Sequence, residues 1–194
     1  MPDEPARAVD EVAELFTFRV GGEDYAVDIR RVREIIQPLP ITPVPRAPAF
    51  VEGVVRLRGE VLPVIDVRKR FGLPTLPPGE RTKFLVVQVA GRRLALVVDQ
   101  VAEVLRVPRS EIRPAPTFAA GGPRFFLGIC GGEGTVAVGS RRAASPGRIR
   151  LLLNVKALLE PESPGELEAA RAQAEAARAQ PETTRAQPET TRRS

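Results

Sequence analysis

The chain has no histidine and no tryptophan, and only one cysteine, one tyrosine and one methionine among its 194 residues. Each absence excludes chemistry. Without an imidazole there is no Ser-His-Asp or Cys-His triad, no imidazole acid–base catalyst and no His-ligated zinc. A single Cys130 makes neither an intrachain disulfide nor a cysteine cluster for zinc or iron–sulfur, which fits a reducing compartment. Long apolar runs are also missing. Leu94–Val98 has the length of a strand, far short of the ~18 residues of a membrane-spanning helix. The polar start Met1-Pro-Asp-Glu-Pro-Ala-Arg7 contains no apolar signal core. The expectation is a cytoplasmic protein.

Arginine is abundant. There are 29 Lys+Arg against 24 Asp+Glu, a formal net charge of +5, and only three of the basic residues are lysines. A basic surplus on a small β protein raises nucleic-acid binding as an alternative function. Acids interleave with the arginines, however, as in Arg31, Arg33 and Glu34, or Arg58, Glu60 and Asp66. No dense basic run with interspersed aromatics occurs. With 43% hydrophobic and 27% charged residues the composition is that of a soluble globular domain. A body of roughly 150 residues buries about 70% of its unfolded-chain surface, enough for a true core.

Residues 1–13 read as a polar leader. Leu15–Val20 predicts a strand, Gly21-Gly22-Glu23-Asp24 a turn and Tyr25–Ile29 a second strand, together a hairpin. Over Arg31–Gln37 the apolar residues Val32, Ile35 and Ile36 fall at helical spacing, and Pro38 stops the segment, so a short helix is expected there. Val51–Leu57 and Val61–Val67 are apolar runs around a turn at Gly59. Pro74–Gly79 is a connector.

The pattern then restarts. At a shift of 69, Val20-Gly21-Gly22 falls on Val89-Ala90-Gly91, Ala26 on Ala95, Val32 on Val101 and Glu34 on Glu103. Ile41-Thr-Pro-Val-Pro45 matches Ile112-Arg-Pro-Ala-Pro116, and Ile65–Phe71 matches Leu153–Leu159 at a shift of 88. The shift grows because the second unit carries insertions, mainly Gly131–Arg148, which reads as a surface loop. An internal duplication of this size predicts an all-β fold of two small five-stranded lobes, about residues 15–73 and 80–160. Each is small enough to hide its strand edges by closing on itself. Past Glu160 the chain becomes polar and repetitive, with Arg178–Thr184 recurring identically as Arg185–Thr191. The stretch 161–194 is expected to be a low-complexity tail without a fold of its own.

No catalytic constellation appears. Asp66, Asp99 and Glu103 are the candidate carboxylates, and none has a spacing that requires catalysis. Asp66 is expected to pair with a neighbour. Asp99, ahead of an apolar-periodic segment, is expected to be a helix N-cap. Cys130, with apolar and glycine neighbours and no base, is expected to be a packing residue and not a nucleophile. The glycines of Gly128–Gly134 are not followed by a helix pattern and make no phosphate loop. No catalytic, metal or cofactor site is expected. Two lobes with a groove between them suit protein binding better than chemistry.

The ordered motifs Phe18–Ile29, Val32-Arg-Glu-Ile35, Ala47-Pro-Ala-Phe-Val-Glu-Gly53, Leu57-Arg-Gly59, Val61–Arg68, Leu96-Val-Val-Asp99, Val101-x-Glu-Val104 and Ile112–Pro116 resemble the CheW-like chemotaxis coupling proteins. The likeness spans residues 14–160. It implies two intertwined five-stranded SH3-like β-barrels with short helices and no catalysis. It further implies an adaptor that bridges chemoreceptor cytoplasmic tips to the regulatory domain of a CheA-type histidine kinase, meeting the membrane only through receptors. The resemblance places Val32, Glu34, Gly53, Arg58 and Val104 on the receptor face, and Arg113 and Phe118 on the kinase face. Arg58, beside Gly59 at a turn, either presents its guanidinium fork to a partner or closes an internal salt bridge with Glu34 or Glu60. Val32 and Ile35 either line the groove or pack the core, with core the better reading. Arg56 stands where the family usually has Asn, and Asn154 where it commonly has Asp. Lacking kinase and receiver segments, the chain is expected to be a stand-alone coupling protein.

Overall fold

The computed structural model describes residues 11–115, 123–131, 136–138 and 148–160. The first repeat supplies β1 (Val12–Val20), β2 (Glu23–Asp28), β3 (Val32–Ile36), β4 (Val51–Leu57), β5 (Glu60–Asp66) and the one-turn helix α1 (Val67–Arg70). The second supplies β6 (Lys83–Val89), β7 (Arg92–Val98), β8 (Gln100–Pro108), β9 (Phe126–Cys130), β10 (Val136–Ala137), β11 (Arg150–Leu153) and α2 (Val155–Leu158). The hairpins β1–β2, β4–β5 and β6–β7 turn through Gly21-Gly22, Arg58-Gly59 and Ala90-Gly91. Both central residues of each have positive φ, the primed turn that matches strand twist.

The strands form two sheets, in the orders β10-β8-β1-β2-β11-β9 and β3-β6-β7-β5-β4. Replace each strand of the second sheet by its repeat counterpart, and the order β8-β1-β2-β11-β9 of the first appears. Even the parallel pairs coincide, β2 with β11 and β7 with β5. The same bulge recurs where β3 meets β6 and where β8 meets β1. The duplication is therefore real in three dimensions, but the sheets are not the repeats. The first sheet takes two strands from the first half and four from the second, and the second sheet takes three and two, so the halves interlock, as the resemblance implied.

Each sheet has an apolar cluster to which all five of its main strands contribute. Leu15, Ala26, Leu105, Cys130 and Leu152 form one, and Val55, Leu62, Phe84 and Ala95, joined by Ile36, form the other. A face on which all five strands meet is the inside of a curled sheet. The chain beyond β3 and the chain beyond β8 then each pair with the far edge strand of the same sheet. Thr42 bridges to Val54 on β4, and Arg113 bridges to Ile129 on β9. Glycine makes room for both approaches. A Cβ at Gly53 would lie 2.2 Å from the Thr42 oxygen, and one at Gly128 would lie 2.6 Å from the Arg113 oxygen.

A third and largest cluster fills the seam between the sheets, with Phe16, Phe18, Val20, Leu85, Val87, Leu94, Leu96, Leu153 and Leu158. Tyr25 stacks there on Phe71 and Phe126, and Phe71 packs tilted against Phe125 and Phe126, at centroid separations of 5.4–6.2 Å. Strands buried on both faces explain why β6 and β7 read as continuous apolar runs and lack strict alternation. Arg70 of α1 lies over the rings of Phe50 and Phe125, 4.1 and 5.0 Å from their centroids. It donates to the carbonyls of Ala157 and Glu160, so the first repeat clasps the end of the second.

Three local expectations are corrected. Arg31–Gln37 is not a helix: a 3-10 turn over Ile29–Arg31 leads into β3, paired with β6. Val32, Glu34 and Ile36 alternate with the more exposed Arg33 and Ile35, and the β-branched residues favour that extended form. Asp99 caps no helix, because the nine-residue strand β8 follows and is held by β1. Part of the Gly131–Arg148 insertion is β10, which adds a sixth strand beside β8. The leader up to residue 10, residues 132–135 and 139–147 of the insertion and residues 161–194 lie outside the described residues.

Interlocking makes a prediction. Fragments 1–78 and 79–194 are expected to be unfolded when expressed separately, because each sheet would lack two to four strands. Co-expressed, they should co-purify as a folded pair with the β circular dichroism of the intact chain. A monomeric, cooperatively melting 1–78 fragment would contradict the strand exchange.

Candidate functional site

The β4–β5 turn holds Arg58 at φ 51°, a left-handed conformation that costs a non-glycine residue roughly 1–2 kcal/mol. The turn projects the side chain outward, and it is 80% exposed. One nitrogen, Nη2, lies 3.1 Å from Glu34 Oε2. Glu34 itself sits on β3 just past the bulge, and its side chain is only 18% exposed. Its other oxygen accepts from Arg93 Nη2 at 2.6 Å, and Arg93 Nη1 donates to Glu60 Oε2, also at 2.6 Å. Arg58 thus closes the internal ion pair with Glu34 while most of its side chain stays in solvent.

The structure joins Glu34 and Arg58 directly. It brings Val32 and Val104 to the same seam, where both are half-buried against the central cluster from strands of different sheets. Ile35, beside Glu34, is 42% exposed and is not core. Gly53 is buried under Thr42, where its missing side chain leaves room for the Thr42 carbonyl. Arg113 is exposed, with its backbone paired to Ile129. Phe118 lies outside the described residues.

The candidate carboxylates are engaged structurally. Asp66 accepts from the amides of Arg68 and Lys69 at the start of α1, while burial raises its pKa. Asp99 accepts from Arg68 Nε and Nη2 at 2.8 and 2.5 Å and from the Gly21 amide at 2.8 Å, tying the β1–β2 turn to α1. Glu103 lies 3.4 Å from the buried Arg150. Cys130 is buried in the first sheet's cluster, and burial pushes its thiol up to about 11, far from a reactive thiolate. Among the described residues no group of three or more His, Cys, Asp or Glu is placed to hold a metal, and no helix is long and apolar enough to cross a membrane.

Two grooves flank the body. One, of about 960 Å³, runs between the 75–82 connector and the second sheet, over Leu39, Ile41 and Phe84. The other, of about 580 Å³, lies on the first sheet beside Val12, Leu127 and Arg31. Sequence reasoning missed Arg93, the centre of the Glu34–Arg58 network. It follows a hairpin glycine and precedes an apolar run, and no motif distinguishes it from a solvated arginine.

The model of the CheW-like domain matches residues 14–162, the whole of the interlocked body. The chain belongs to the CheW-like family. Chemotaxis protein CheW of Rhizobium meliloti (strain 1021) is 43% identical over 122 residues, covering 62% of this chain and 79% of that protein. Protein FrzA of Myxococcus xanthus is 36% identical over 122 residues, covering 62% and 76%. The crystal structure of the scaffolding protein TtCheW from Thermoanaerobacter tengcongensis superposes with a TM-score of 0.67 at 26% identity, over 82% of this chain and 96% of that one. This CheW-like chain is a chemotaxis coupling protein of the adaptor class.

Proposed function

We propose that this CheW-like protein works in the cytoplasm as a non-catalytic bridge between chemoreceptor cytoplasmic tips and the regulatory domain of a CheA-type histidine kinase. The observation that carries the reading is Arg58, held outward on a strained turn with most of its guanidinium free for a carboxylate or helix-end carbonyls. Val32 and Val104 at the seam add apolar surface to that receptor face, Glu34 anchors Arg58, and Gly53 shapes the strand beneath it. Arg113 and Phe118 belong to the kinase face. Two lobes of one topology but different surface let one molecule hold two partners at once. A nucleic-acid role is less well supported, because Arg30, Arg106 and Arg109 on the first sheet are matched by Asp28, Glu14 and Glu11.

The test is calorimetric titration with the regulatory domain of a CheA-type kinase from the same organism, then with a soluble receptor cytoplasmic fragment. Saturable one-to-one binding is expected for the kinase domain. Arg58→Glu should weaken receptor binding about ten-fold or more and leave the melting curve nearly unchanged, since an exposed ion pair contributes at most about 1 kcal/mol to stability. Equal losses of stability and binding would make Arg58 a structural residue.

A further inference from the structure

The two oxygens of Glu34 are shared unequally. Oε1 takes the short 2.6 Å bond from Arg93, and Oε2 takes the longer 3.1 Å contact from Arg58. Arg93 also spans to Glu60, so its guanidinium stands between two carboxylates at the base of the turn that carries Arg58. It is less than one-third exposed, and its buried Nε has no hydrogen-bond partner among the described residues. Among the described residues the second sheet alone has this arrangement. At the repeat position of Arg93 the first sheet carries Asp24, which pairs instead with Arg19 and Arg148.

We infer that Arg93 is the positioning residue of the Arg58 face, keeping Arg58 turned outward by satisfying one oxygen each of Glu34 and Glu60. Without Arg93 both carboxylates lose their nearest cation. Glu60 is two residues from Arg58 across the turn, and Glu34 already touches it. A planar guanidinium offered two unpaired carboxylates closes on them in its preferred forked geometry and is lost to a partner. Arg93 thus governs binding through Arg58 without touching the partner. The inference rests on the reading that this face meets a receptor tip.

The experiment measures affinity of the full chain for a soluble cytoplasmic fragment of a methyl-accepting chemoreceptor, with a melting curve for every variant. Arg93→Ala is expected to weaken binding by about five- to ten-fold in the parent chain, and by less than about two-fold when Arg58 is already alanine. Adding Glu60→Gln to Arg93→Ala removes one competing carboxylate and should recover most of the affinity, a rescue that a merely structural arginine would not show. Arg93→Lys, which keeps the charge but holds one carboxylate at a time, should fall in between and serves if the alanine variant melts too low. Equal, additive losses in both Arg58 backgrounds, or no rescue by Glu60→Gln, would overturn the positioning role and leave the face intact. Undiminished binding by Arg58→Ala would overturn the face and the positioning role together.

Discussion

Gly53→Ala is expected to cost about 3–5 kcal/mol and to lower the urea midpoint sharply. The single added carbon would lie 2.2 Å from the Thr42 oxygen and 2.8 Å from both the Thr42 carbonyl carbon and Ile41 Cγ2. The backbone carbonyl cannot yield without breaking the Thr42–Val54 bridge, whose two hydrogen bonds are 2.8 and 2.9 Å. Those bonds contribute about 1 kcal/mol each, and an alanine held at φ 144° adds about 1–3 kcal/mol of strain. Against the 5–15 kcal/mol that typically separates folded from unfolded domains, such a loss is large. Gly59→Ala is the control. It also has positive φ, but nothing lies within 4 Å of its added carbon, so only the conformational cost of roughly 1 kcal/mol should appear. Urea unfolding of the two variants decides the matter. A Gly53→Ala midpoint no lower than that of Gly59→Ala would remove the steric explanation.

The second large effect is alkaline unfolding. Burial, reinforced by the charges of Glu23 and Asp99, pushes Tyr25 from 10.0 up to about 12, and burial pushes Cys130 from 9.0 up to about 11. A group whose folded pKa lies above its unfolded one favours the folded state fully while both forms are protonated. That contribution fades as pH rises from the unfolded value through the folded one. For Cys130 the window is about pH 9–11, and for Tyr25 about pH 10–12. At about 1.4 kcal/mol per pH unit, the two together withdraw on the order of 5 kcal/mol by pH 12. With no histidine in the chain, no side chain of ordinary pKa titrates between about pH 6 and 8, so stability should be nearly flat there. With one tyrosine and no tryptophan, ultraviolet absorbance reports tyrosinate from Tyr25 alone. The expected record shows tyrosinate and thiolate appearing together with loss of β structure. Tyrosinate formed near pH 10 in a still-folded chain would show that Tyr25 is not sealed in the seam.

Much of the β pattern could be read locally. Glycines at turns and apolar runs of strand length placed the β1–β2 and β4–β5 hairpins, because turn geometry and strand burial depend on adjacent residues. The stretch at Arg31–Gln37 misled because Val32, Ile35 and Ile36 satisfy helical spacing over so short a window, and only the partner strand β6 decides for the extended form. Asp99 misled for the same reason, since its real partners Arg68 and Gly21 are 31 and 78 residues away. At the candidate site, Glu34 and Arg58 were legible as a possible pair, whereas Arg93, 59 residues beyond Glu34, was not.

By itself the sequence determined the absence of imidazole and of cysteine-cluster chemistry, the all-β class and the duplication. Its ordered motifs pointed to the coupling family before any coordinate was known. These follow from composition and short-range order, which a chain carries whatever its conformation. Only the tertiary structure decided that the repeats exchange strands, that Gly53 and Gly128 admit the chain to the opposite sheet edge, and that Arg93 stands between Glu34 and Glu60. Each of those depends on which distant segments meet. That is set by burying one shared apolar seam between two curled sheets, an energy that belongs to the whole chain and to no single segment of it.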